Sequence, residues 1–123
     1  LSRSAQDAFA IAEQAQPLVR ASLELLAHAA REDDMRLRLA GVYRAARDHC
    51  STLLLNAQQQ GLIHEVQSES VASALIAMFE GLFILKIMDP DRVDVSAAWE
   101  QGVSALLRGL ARTDHPRQNG GQP

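Results

Sequence analysis

The sequence ALIAMFEGLFILKIM, residues 74–88, contains only two charged side chains, Glu80 and Lys86. It is shorter than the ~20 apolar residues that cross a membrane, and Glu80 lies near its centre, so we expect a helix within a soluble domain. A helix that is apolar on every side must be covered on every side, and a domain of about five helices rarely covers one completely. We therefore expect a second chain to cover part of this helix.

The rest of the chain also shows helical spacing of its apolar residues, without the two-residue alternation that strands require. The sequence therefore predicts an all-α fold, a bundle of about five helices. We expect Asp33 or Asp34 to cap the third helix, Gly61 to end it and Asp94 to cap the fifth. The predicted helices run from about Ser4 to Ala15, from Pro17 to about Arg31, from Met35 to Gln60, from Ser68 or Ser70 to Met88, and from Asp94 to about Arg112.

The composition is that of one soluble domain, because 47% of the 123 residues are hydrophobic and 22% are charged. We assign residues 1–112 to this domain and 113–123 to a disordered tail, which lacks apolar periodicity. Cys50 is the sole cysteine, which excludes an internal disulfide framework, and no signal-peptide pattern is present, so we expect a cytoplasmic location. The net charge of −3 argues against direct binding of nucleic acid by these residues.

The last predicted helix carries a stripe of small residues that includes two glycines. Each glycine costs about 1 kcal/mol in a helix relative to alanine, which suggests that close packing requires them. We predict that the last two helices form a four-helix bundle with those of a second copy. Packing within a monomer is the alternative. The predicted dimer-interface residues are Ala77, Gly81, Phe83, Ala98, Gly102, Ala105, Leu106 and Gly109.

No phosphate-binding loop, nucleophile elbow or metal-binding motif occurs in the sequence. His49 and Cys50 are adjacent, but neighbours on a helix point about 100° apart, which disfavours a catalytic dyad. We therefore expect no catalytic residue, no metal, no cofactor and no enzymatic activity. An apolar pocket with a few polar groups remains as the candidate site. Its predicted lining residues are Leu26, Val42, Tyr43, Ala46, Cys50, Met78 and Phe79.

Three segments together resemble the C-terminal domain of TetR/AcrR-family transcriptional regulators. They are LELLAHAAR at 23–31, LLLNAQQQGLI at 53–63 and FEGLF at 79–83. The second contains the Gln-x-x-Gly pattern typical of the family, and the third has Glu80 where the family typically has aspartate before Gly-Leu. The resemblance covers roughly residues 5–112 and is one of pattern, without a catalytic motif.

The resemblance implies a domain that binds a small effector and forms a homodimer through its last two helices. It also implies that operator DNA is read by an N-terminal helix-turn-helix domain, which these residues lack, and that the regulator is a repressor. We expect an apolar or amphipathic effector whose binding changes the geometry of the dimer. A stand-alone helical dimerisation or adaptor module without an effector is the alternative, and a small helical enzyme is a third.

Overall fold

The computed structural model describes residues 16–112 and contains four α-helices in that range. They are α1 (Gln16–Ala29), α2 (Asp33–Gln59), α3 (Ser68–Met88) and α4 (Val95–Leu110). The all-α prediction is therefore confirmed for the described residues. The helix predicted from Ser4 to Ala15 and the tail at 113–123 lie outside them.

Local sequence signals account for some of the helix ends. Asp94 caps α4, since its carboxylate accepts a 3.0 Å hydrogen bond from the amide of Ala97. The predicted cap of α2 is wrong: Glu32 occupies the N-cap without a side-chain hydrogen bond, and Asp33 and Asp34 lie in the first helical turn. There they still face the positive end of the helix dipole, and Asp33 also pairs with Arg36 at 3.6 Å.

Gly61 ends the turn after α2 with φ of +73°, a conformation that glycine adopts without strain. The chain then runs alongside the C-terminal end of α4. The amide of His64 donates to the carbonyl of Leu110 at 2.8 Å, and the amide of Arg112 donates to Leu62 at 3.1 Å. These bonds fix the end of α4 against the α2–α3 connection.

A small core lies beside this junction, where α2, α3 and α4 meet. Cys50, Ala57, Val66, Val71 and Leu106 pack against it from the periphery. The buried centre consists of Leu54, Ile63, Ala72 and Leu110.

The long helix α2 presents only part of its predicted apolar stripe to this core: Cys50 and Ala57 pack against it, but Leu53 does not. The apolar residues of α2 recur at intervals of three or four, which predicts one inward-facing stripe that includes Leu53. The stripe consists of Met35, Leu39, Val42, Ala46, Cys50, Leu53 and Ala57. Leu53 is instead 57% exposed, whereas Leu54 and Ser51 are buried. Leu53, Leu54 and Leu55 are consecutive leucines that point about 100° apart around the helix, so their hydrophobicity alone does not select the one that faces the core.

The apolar helix α3 contacts each of the other three helices but is poorly covered. Ala72 is its one buried residue, while Leu85 and Met88 are 54% and 72% exposed. The helix that contains residues 74–88 runs from Ser68 to Met88, and its 21 residues are long and apolar enough to cross a membrane. The expectation that this region is too short for a membrane span is therefore wrong for the whole helix. A single such helix is weak evidence for a membrane span, since core helices of soluble proteins can have the same length and composition.

Candidate functional site

An apolar cavity of about 480 Å³ lies between α2, α3 and α4. This volume is within the range of ~300–1,000 Å³ typical of small-molecule sites. Each helix contributes side chains that are one turn apart, so that they project to the same side. The lining residues are Val42, Tyr43, Ala46 and Cys50 from α2, Leu75, Ile76, Phe79 and Glu80 from α3, and Trp99 and Val103 from α4.

Five of the seven residues predicted to bind a ligand line this cavity, namely Val42, Tyr43, Ala46, Cys50 and Phe79. The other two lie elsewhere. Leu26 lines a second cavity, and Met78 lies against Gly102 of α4.

The second cavity, of about 260 Å³, lies between α1 and α3. Phe79 and Glu80 line both cavities. The ring of Phe79 makes edge-to-face contacts with Phe83, at a centroid distance of 5.0 Å, and with Trp99, at 5.6 Å. Phe83 lines the smaller cavity and Trp99 the larger, so Phe79 stands between the two. The remaining lining residues of the smaller cavity are Ser22, Leu23, Leu26 and Ile84.

A hydrogen bond between Tyr43 and Glu80 joins α2 to α3 in the wall of the larger cavity. The Tyr43 hydroxyl donates and the Glu80 carboxylate accepts. Burial, the hydrogen bond to Glu80 and the negative charge of Glu80 raise the pKa of Tyr43 to about 12. The phenol therefore remains a neutral donor throughout the physiological pH range.

Cys50 is half-buried in the cavity wall, and burial raises the pKa of its thiol above the ordinary value. A raised pKa lowers the fraction of thiolate, the nucleophilic form. His49, its neighbour in sequence, is exposed. The two side chains thus occupy different surroundings, in line with the argument against a dyad.

The predicted dimer residues fall into two groups by their exposure. Ala77, Ala98, Ala105 and Gly109 are exposed, whereas Gly81, Phe83, Gly102 and Leu106 are partly buried. Three of the second group have neighbours within the same chain. Phe83 lines the smaller cavity, Gly102 approaches Met78, and Leu106 packs on the core. A β-carbon on Gly81 or Gly109 would contact nothing within 4 Å.

Sequence reasoning missed several residues of the two cavities, above all Glu80 and Trp99. A signal for Glu80 existed, since it is the acidic residue in the middle of an apolar run. Trp99 shares an apolar stripe with Val103, which is equally typical of a core residue. The other missed residues are Ser22, Leu23, Leu75, Ile76, Val103 and Ile84.

Among residues 16–112, no group of three or more His, Cys, Asp or Glu side chains is placed to hold a metal ion. Comparison with known families gave a match over residues 1–112 to the family described as "BetI-type transcriptional repressor, C-terminal". Comparisons with curated proteins and with solved structures gave no match.

Proposed function

This chain belongs to the C-terminal domains of BetI-type, TetR-family transcription regulators, and from that premise we propose that it senses a small effector and dimerises. In this proposal the regulator is a cytoplasmic repressor, and a separate helix-turn-helix domain of the intact regulator contacts operator DNA. The domain acts by binding rather than by catalysis.

The observation that carries the proposal is the apolar cavity between α2, α3 and α4. Its walls combine aliphatic and aromatic side chains with a single hydrogen-bonded polar pair, Tyr43 and Glu80. Such a cavity with few polar groups is typical of a small-molecule site. An apolar or amphipathic effector fits these walls.

The proposed homodimer uses the uncovered surface of α3 and α4. Exposed Leu85, Met88 and Leu107 leave apolar area in contact with water that a second copy would remove. Gly81 and Gly109 leave room beside their backbones for the helices of that copy. A four-helix bundle about a two-fold axis meets both conditions.

The effector would act by favouring one of two dimer geometries. Only a difference in its affinity for the two states can shift their populations. A preference of ~1.4 kcal/mol for the state that does not bind DNA weakens operator binding about tenfold at most. Residues of α2, α3 and α4 line the cavity, so a ligand within it would contact both α3 and α4. These two helices are also the ones that form the proposed dimer interface.

Fluorescence of Trp99, the sole tryptophan, tests the ligand site directly because the indole lines the cavity. We expect 1-decanol, a neutral amphiphile, to change this fluorescence saturably. Ala46→Phe, which fills the cavity from α2, should weaken the binding. Ala45→Phe is the matched control, since Ala45 is the exposed neighbour outside the cavity wall.

The alternative function, a dimerisation module without an effector, predicts no saturable change with any amphiphile. Equal effects of the two phenylalanine variants would also argue against a ligand site in this cavity. The exposed apolar surface of α3 would then be explained by association alone.

A further inference from the structure

The two cavities share one wall, to which Phe79 and Glu80 of α3 both contribute. On one side of this wall lies the smaller cavity, between α1 and α3, and on the other lies the larger one, between α2, α3 and α4. The wall is therefore one layer of side chains thick. Displacement of a side chain in this layer would join the cavities.

The two wall residues are held in different ways. Glu80 accepts a hydrogen bond from Tyr43, which fixes its carboxylate against α2. The ring of Phe79 instead contacts the rings of Phe83 and Trp99 edge to face, at centroid distances of 5.0 and 5.6 Å. Such contacts persist over centroid distances of ~4.5–7 Å, so they tolerate several ring positions. Phe79 is also 40% exposed, so the surrounding protein does not enclose its ring. Phe79 is thus the movable part of the wall.

A phenylalanine on a helix has two common χ1 rotamers, near 180° and −60°, and exchange between them swings the ring to a different side. In the position that the structure shows, the ring contacts one aromatic residue of each cavity, Phe83 in the smaller and Trp99 in the larger. Swinging the ring away breaks these contacts. The closed position is therefore favoured until a ligand replaces what the ring loses.

Joined, the cavities form one elongated site along α3. Leu75 lines the larger cavity and Ile84 the smaller, and these residues are nine positions apart, which is about 13 Å along a helix. Apolar side chains form most of the lining at both ends. A linear aliphatic chain fits such a site, whereas a short ligand fills the larger cavity alone.

We propose that Phe79 is a movable partition that controls the length of the ligand: a long-chain amphiphile displaces its ring and extends from the larger cavity into the smaller one. This inference rests on the proposed ligand-sensing function and adds the shape of the ligand. A chain in both cavities contacts α1 in addition to α2, α3 and α4. A short ligand leaves the ring of Phe79 in place and does not reach α1.

Two neutral alcohols that differ only in chain length, 1-octanol and 1-dodecanol, test the partition through Trp99 fluorescence. Each methylene group removed from water strengthens binding about fourfold, so we expect 1-dodecanol to bind on the order of a hundredfold more tightly. Ser22→Phe, which fills the smaller cavity from α1, should reduce this ratio to about tenfold or less and leave the affinity for 1-octanol unchanged. Ala21→Phe is the matched control, since Ala21 is the exposed neighbour outside the wall of that cavity.

Phe79→Ala removes the partition itself. In the wild type only the longer alcohol has to break the contacts of Phe79 with Phe83 and Trp99. We therefore expect Phe79→Ala to increase the ratio of the two affinities severalfold in favour of 1-dodecanol. A purely structural role of Phe79 would weaken both alcohols alike and leave the ratio unchanged. Circular dichroism of each variant verifies that the helices are retained.

The outcomes separate this inference from the proposed function. If Ser22→Phe and Ala21→Phe affect 1-dodecanol equally, or if Phe79→Ala leaves the ratio unchanged, the partition is overturned while the ligand site in the larger cavity stands. Binding of two 1-dodecanol molecules per chain would also overturn it, because the cavities would then act separately. If no alcohol changes Trp99 fluorescence, both proposals fall.

Discussion

The sulfur of Met78 lies only 2.9 Å from the position that a β-carbon on residue 102 would occupy. This separation is shorter than real β-carbons tolerate, so a β-carbon at residue 102 would require the flexible side chain of Met78 to shift. This neighbour of Gly102 belongs to the same chain. Gly109, in the same sequence stripe, has no such contact.

A leucine at Gly102 should overpack the contact with Met78. We expect Gly102→Leu to lower the free energy of unfolding by ~1–3 kcal/mol, as measured by urea denaturation. Adding Met78→Ala to this variant should recover part of the loss, because the added side chain then has space. If the two substitutions are additive in a double-mutant cycle, the residues are not in contact.

The sequence predicts the helices because their ends depend on local chemistry. Gly61 supplies a positive φ and Asp94 a cap, and both act on their own turn of the chain. The sequence is less informative about which side of a helix faces the core. Leu54 is buried where the sequence predicts Leu53, because three consecutive leucines, residues 53–55, give the hydrophobic pattern no basis for choosing among them.

The residues of the candidate site are predictable only in part, because a sequence displays the spacing along one helix but not the pairing between helices. The α2 residues of the cavity follow from helical spacing, which a sequence displays. The pairing of Tyr43 with Glu80 joins residues 37 positions apart, and no local pattern encodes it. Similarly, the sequence could assign Gly102 to close packing but could not tell whether Met78 or a second chain was its neighbour.

The proposed dimer can be tested at Gly109, where a larger side chain clashes with nothing in the protomer. We expect the wild-type domain to sediment at twice its 13.4 kDa mass and Gly109→Leu to shift it toward the monomer. Gly41→Leu on α2 is the matched control, since Gly41 is exposed and also has no neighbour within 4 Å. Both leucines increase helix propensity, so a general loss of folding should not occur. Equal masses for the two variants would argue against an interface at Gly109.

Tyr43 is the sole tyrosine, so tyrosinate absorbance reports its titration directly. We expect a midpoint near pH 12 in the folded domain. Glu80→Gln should lower it by removing the charge of Glu80, but not to the ordinary value of 10.0, because burial is the largest cause of the shift. A midpoint that Glu80→Gln leaves unchanged would contradict the pairing of the two side chains.

The same raised pKa makes the stability of the domain depend on pH in the alkaline range. Folding favours the neutral phenol of Tyr43. Its contribution to the free energy of unfolding is therefore complete below pH 10.0, the pKa in the unfolded chain, and is lost as the pH rises toward the folded-state pKa of about 12. We expect the free energy of unfolding to fall more steeply over this interval in the wild type than in Tyr43→Phe. Comparison of the two proteins removes the contribution of other groups that titrate there. Parallel curves would mean that Tyr43 titrates alike in the folded and unfolded states.

Cys50 offers a chemical test of occupancy, since it is the sole cysteine and lines the larger cavity. Its raised pKa and partial burial should make alkylation by iodoacetamide slower than that of the unfolded chain at neutral pH. A ligand in the cavity should slow the reaction further, in proportion to the occupancy measured by Trp99 fluorescence. Ala46→Phe should abolish the protection by ligand, because it competes for the same space, whereas Ala45→Phe should preserve it. Fluorescence changes without protection of Cys50 would place the ligand outside this cavity.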